Sequence, residues 1–163
     1  MKLFLIRHGE AIDYETESVK TDGLRFMTPK GRKISRDVFK KIKEEMRGLD
    51  IIFTSPLIRA VQTAEILANV IRFENDVEIA GELVASSTSA KVLELIKRNS
   101  KNESIALIGH EPMLGELVTF LSDRKNLNFS FKKSGVCLID FDCKKETGNF
   151  IWYFDPKNHE YIK

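Results

Sequence analysis

Apolar and polar positions along this chain alternate between a strand-like and a helix-like spacing. Residues 2 to 7, KLFLIR, hold a short apolar run bounded by charge, which predicts a buried strand. Residues 8 to 27 show no period and read as a polar loop. Loops of that length in a compact domain usually carry function. In TPKGRKISRDVFKKI the apolar residues Ile34, Val38, Phe39 and Ile42 recur at helical spacing. Thr28 is placed to cap that helix, Pro29 suits its first turn and Gly48 its end. DIIFTS is a second strand, and SPLIRAVQTAEILANVI a second helix with Ser55 as N-cap and Pro56 in the first turn. DVEIAGEL gives a short third strand ending near Gly81. Residues 88 to 99 form a third helix with Val92, Leu93 and Ile96 as its apolar stripe. SIALIGHEP is a fourth strand and MLGELVTFLSD a fourth helix. VCLIDFD and NFIWYFD, separated by the turn-prone KKETG, read as a terminal β-hairpin.

The order βαβαβαβαββ predicts an α/β fold. Its form is a three-layer α/β/α sandwich around a mostly parallel sheet, with the C-terminal hairpin adding an antiparallel edge strand. The 163 residues fit one domain spanning 1–163, and 42% hydrophobic with 31% charged residues is a globular composition. A formal charge of +2 is too small to argue for nucleic acid or an anionic membrane. No apolar run approaches the roughly 18 residues that span a bilayer. Charge follows the first apolar run too soon for a secretory signal, so a cytoplasmic protein is expected. Cys137 and Cys143 would lie about 20 Å apart on one strand at ~3.3 Å per residue, and read as reduced thiols. Phe129, Phe131, Trp152 and Phe154 read as core or sheet-face packing. Lys20, Arg25, Lys30, Arg32 and Lys33 read as a solvated basic face. His159, in the polar tail DPKNHEYIK, receives no role.

Three of the four parallel strands end in something chemical. The first ends in Arg7-His8-Gly9. The second runs into TSPLIRA, with Arg59 in the first turn of a helix. The fourth ends in Gly109-His110-Glu111-Pro112. In open α/β sheets ligands bind outside the carboxyl ends of the strands, so two arginines and two histidines are candidates to meet there. Arginine holds a phosphoryl group by planar two-point hydrogen bonds. A neutral imidazole nitrogen can attack phosphorus, provided the other ring nitrogen donates to a fixed acceptor such as a backbone carbonyl. Neighbouring cations discourage protonation of that ring and stabilise charge on the transferring group.

LFLIRHGEA, FTSPLIRAVQTAEIL and LIGHEP, in this order, resemble the motifs of the histidine phosphatase superfamily. That family includes cofactor-dependent phosphoglycerate mutases, acid phosphatases and phosphohistidine phosphatases. The short chain, TPKGRKISR and KKSGVCLIDFD resemble its SixA-type phosphohistidine phosphatases. The resemblance implies that His8 is a nucleophile that becomes phosphorylated, with Arg7, Arg59 and His110 completing a phosphate pocket. It implies that Gly9 lets the backbone pass close to the bound group, and that Ser55 and Pro56 cap the second helix. Glu82, in AGELVAS, falls about where larger relatives supply a general acid. Glu10 matches a position that shapes the pocket. Only 50 residues separate Arg59 from Gly109, which leaves no capping insertion and implies a shallow, open pocket.

The implied activity is a metal-independent, cofactor-free phosphatase working through a phosphohistidine on His8. The implied substrate is phosphohistidine on a partner protein. A small-molecule phosphoesterase, a mutase-like phosphotransferase and a non-catalytic phosphate-binding module are the alternatives. Neither nucleic acid nor membrane is an expected partner, and a monomer is expected.

Overall fold

Pairing register at the middle of the sheet decides where the polar strand ends of this chain converge. The computed structural model describes residues 1–13, 19–122 and 130–163. Its elements are β1 (Lys2–Arg7), α1 (Pro29–Ile42), β2 (Ile51–Thr54), α2 (Ile58–Ile71), β3 (Val77–Ile79), α3 (Ser89–Arg98), β4 (Ser104–Gly109), α4 (Met113–Leu121), β5 (Val136–Asp142), β6 (Thr147–Asp155) and β7 (Glu160–Ile162). Single 3-10 turns stand at Asp22–Leu24 and Gly81–Leu83.

The sheet order is β3-β2-β4-β1-β5-β6-β7. β3, β2, β4 and β1 pair in parallel, and β5, β6 and β7 continue antiparallel from β1. The expected α/β sandwich is present. Its antiparallel part is larger than expected, because the tail after Asp155 turns back as β7 and pairs Tyr153 with Ile162. The hairpin therefore lies inside the sheet, and β7 forms that edge.

Alternation along β1 sorts its side chains between two cores. Leu3 and Leu5 join residues of α3 and α4 on one face, while Phe4 and Ile6 join residues of α1 and α2 on the other. β4 is buried along its whole length, as a central parallel strand covered on both faces must be. Each such fully buried large side chain contributes about 1.5–3 kcal/mol relative to exposure. Phe131, Trp152 and Phe154 are buried as expected, and Phe129 lies outside the described residues. Cys137 and Cys143 are free thiols. No helix among the described residues is long and apolar enough to cross a membrane.

Helix ends follow local chemistry in part. The Thr28 hydroxyl accepts from Gly31 N–H at 2.9 Å and caps α1, as expected. α1 stops at Ile42, and a series of turns carries the chain on to Gly48, whose φ of +77° needs glycine. The two ends of the first loop are tied together. Ile12 N–H donates to Phe26 C=O at 3.0 Å and Thr28 N–H to Glu10 C=O at 3.0 Å.

Candidate active site

β1 and β4 run in register, with Arg7 opposite Gly109. The next residue of each strand is a histidine, and His8 N–H donates to Gly109 C=O at 3.1 Å. The two imidazoles therefore meet, with ring centroids 4.8 Å apart. β2 lies on the other side of β4 with Thr54 opposite Ile108, which brings Ser55 beside His110. Arg59, in the first turn of α2, then reaches both rings. Its Nε–H donates to His8 Nε2 at 3.3 Å, and its Nη2 lies 3.5 Å from His110 Nδ1. Arg7 is the fourth member. Its charge acts on both imidazoles and on Arg59. Its Nη1 donates to Phe131 C=O, while its Nε–H is buried with no acceptor among the described residues.

Tautomers follow from these partners. His8 Nδ1 lies 2.7 Å from Gly9 C=O, so Nδ1 carries the proton and Nε2 keeps a lone pair. Arginine only donates, so His110 Nδ1 is the bare nitrogen there, and Nε2–H donates to Ser55 Oγ at 2.8 Å. Burial, then His110 and the two arginines, push His8 down to about 3. Burial and Arg59 push His110 down to about 4. Both rings are therefore held in the neutral form near pH 7.

Burial corrects one expectation. His8 is 7% exposed, Arg59 5% and His110 2%, so these side chains are more enclosed than a shallow, open pocket implies. The turn at Asp22–Leu24 lies against Arg59. Asp22 C=O accepts from Nη1 and Asp22 Oδ2 from Nη2, each at 2.8 Å. A cavity of about 890 Å³ lined by Met1, Lys2, Asn102, Glu103 and Asp140 sits at the opposite end of the strands, away from this chemistry.

Other expected site residues fall as follows. A Cβ on Gly9 would lie 2.2 Å from Met27 Cε and 2.6 Å from Ser35 Oγ. Close packing against Ser35 of α1 and against Met27, just before that helix, therefore favours glycine there. Gly9 N–H donates to Thr63 Oγ1 at 3.0 Å, which in turn donates to Arg59 C=O at 2.7 Å. Ser55 is not the cap of α2. The helix begins at Ile58 after Leu57 and has no side-chain cap; the Ser55 hydroxyl accepts from His110 Nε2–H at 2.8 Å and from Leu57 N–H at 3.5 Å, ahead of the helix. No hydrogen bond or ion pair among the described residues joins Glu82 to the other four. Its carboxylate pairs with Arg98 of α3 at 2.5 Å and is held below the usual range by a backbone hydrogen bond and that arginine. Glu10 accepts from Thr28 Oγ1 at 3.0 Å and pairs with Lys30 at 3.6 Å. Asp22 and Glu111 are additional carboxyl groups near the arginines. Periodicity could not reveal Asp22, which meets Arg59 from 37 residues away.

The family model for the histidine phosphatase superfamily (branch 1) matches residues 3–84 of this chain. The chain belongs to the histidine phosphatase superfamily. A relative of this phosphatase, phosphohistidine phosphatase SixA of Escherichia coli, is 26% identical over 165 residues, covering 100% of this chain and 99% of SixA. An uncharacterised protein of Picosynechococcus is 32% identical over 140 residues, covering 83% of this chain and 82% of its own. A solved structure of the protein histidine phosphatase SixA complexed with tungstate superposes with a TM-score of 0.87 at 25% identity. It covers 98% of this chain and 100% of the other. The present chain is thus a SixA-type phosphatase in both sequence and fold.

Proposed function

We propose that this phosphatase transfers the phosphoryl group of a phosphohistidine, presented by a partner protein, to His8 and then to water. The single observation that carries the reading is His8 Nε2. It is a bare nitrogen, fixed by the 2.7 Å contact of Nδ1 with Gly9 C=O and facing Arg59 beside His110. In the first step the Nε2 lone pair forms a bond to phosphorus as the bond from phosphorus to the leaving nitrogen breaks. In the second, water attacks the same phosphorus, His8 leaves with its lone pair restored, and inorganic phosphate is released. Arg59 and Arg7 stabilise charge on the oxygens in flight.

The leaving group supports the substrate. A phosphoramidate nitrogen leaves readily once protonated and makes little demand on a carboxylic acid. That suits a site whose Glu82 is bound to Arg98. The similarity to SixA supports the same substrate class.

A second reading, a small phosphoester as substrate, draws on Glu111. Burial pushes its carboxyl up towards the acid form, against a lowering from Phe131 N–H and Arg7. A carboxyl raised in that direction near Arg7 is better suited to protonate an alkoxide leaving group than an ordinary one.

Rates on a phosphohistidine peptide and on sugar and glycerate phosphates separate the two readings. Faster turnover of the peptide by kcat/KM is expected. Preference for the esters, with the alkaline limb of the pH–rate profile abolished in Glu111→Gln, would overturn the substrate assignment.

A further inference from the structure

Arg59 has two working edges, and they face different partners. Nε and Nη2 face His8 and His110, at 3.3 and 3.5 Å. Nη1 and Nη2 also bind the backbone carbonyl and the carboxylate of Asp22, both at 2.8 Å. Asp22 is itself fixed. Its Oδ1 accepts from Arg25 Nη1 at 3.1 Å, and Arg25 Nε–H is anchored on Ile12 C=O at 2.6 Å. A line of contacts therefore runs from the start of the first loop through Arg25 and Asp22 to Arg59. Burial pushes Asp22 up, but hydrogen bonds from Arg59 and Arg25 outweigh it and keep the carboxylate ionised.

We propose that Asp22 is a positioning residue for phosphoryl transfer, clamping the outer edge of Arg59 so that its inner edge stays aimed at the oxygens of the group between His8 and His110. The inference rests on reading His8 as nucleophile and Arg59 as phosphate ligand. An unrestrained arginine samples many rotamers, and few of them present two N–H groups to one anion. The clamp uses the edge away from the reacting nitrogen, so it is compatible with a bound phosphoryl group. A carboxylate that merely occupied the phosphate site would instead sit on the edge that donates to His8 Nε2. That edge is Nε, which Asp22 does not touch.

The test uses an aryl phosphate, so that it does not depend on the physiological substrate. Asp22→Ala is expected to lower kcat by roughly tenfold to hundredfold with a smaller rise in KM, since a misaimed group of about 1 Å has that cost. Asp22→Asn keeps an acceptor oxygen in the same place and is expected to recover most of the loss. Inhibition by inorganic phosphate should weaken in Asp22→Ala. A wild-type kcat in Asp22→Ala would overturn the proposal. So would a lower KM with tighter phosphate inhibition, the signature of a competing carboxylate. Equal impairment of the alanine and asparagine variants would overturn it as well. Trapping phosphate on His8 of the wild type in parallel keeps the two readings apart. If no label forms there, the nucleophile assignment fails. If label forms and Asp22→Ala behaves as wild type, only the clamp fails.

Discussion

Two neutral imidazoles buried side by side make this fold sensitive to mild acid. An unfolded histidine titrates near 6.5, whereas His8 and His110 are pushed down to about 3 and about 4. Between these limits the unfolded chain binds more protons than the folded one. Stability from this source is therefore complete above about pH 6.5 and is lost as pH falls through it. From pH 7 to pH 5 each histidine costs about 2 kcal/mol by linkage, so the pair removes about 4 kcal/mol. That is a large share of the roughly 5–15 kcal/mol that holds a domain folded. The assay is urea denaturation at both pH values in phosphate-free buffer, for the wild type and for the double variant His8→Asn, His110→Asn. Carboxylates titrate alike in the two proteins, so the difference in their pH dependence isolates the imidazoles. The wild type is expected to lose about 4 kcal/mol more than the variant. Equal losses would refute the claim that both rings are held neutral by burial and neighbouring arginines.

Two further variants probe the packing around the site. Gly9→Ala drives a methyl into Met27 and Ser35 and should lower stability by about 1–3 kcal/mol in urea melts. Gly23→Ala, with open space at its Cβ, should not, and equal effects would contradict the packing role. Ser55→Ala removes the acceptor of His110 Nε2–H and leaves a buried donor unpaired. About 1–3 kcal/mol is expected as a loss of stability in urea melts, together with a drop in kcat/KM for an aryl phosphate, and unchanged values would count against Ser55 as the partner that orients the ring.

Much of this architecture was legible from alternation alone, because strands buried on both faces and helices with one apolar stripe leave distinct periods. KLFLIR reads as a buried strand and SIALIGHEP as a strand, and both lie inside the sheet as β1 and β4. The convergence of their polar ends was legible as well, since a parallel register carries Arg7 to Gly109 and hence His8 to His110. What escaped reading depended on contacts between distant segments. EYI is too short and too exposed to show a strand pattern, and becomes β7 only by pairing with β6. Ser55 precedes a helix and looks like a cap, yet a buried imidazole is a stronger claimant for its hydroxyl. Glu82 follows β3 as an acid would, but Arg98, from the last turn of α3, binds it. Asp22 sits in an aperiodic loop, and nothing local ties TDGLR to an arginine on another helix.

The most direct measurement of the central claim is rapid-quench trapping with a labelled phosphodonor, followed by peptide mapping. Acid-labile, alkali-stable phosphate on the peptide that contains His8, formed and consumed at rates matching turnover and absent in His8→Ala, is the expected result. Turnover with no label on that peptide, or sustained turnover by His8→Ala, would contradict it.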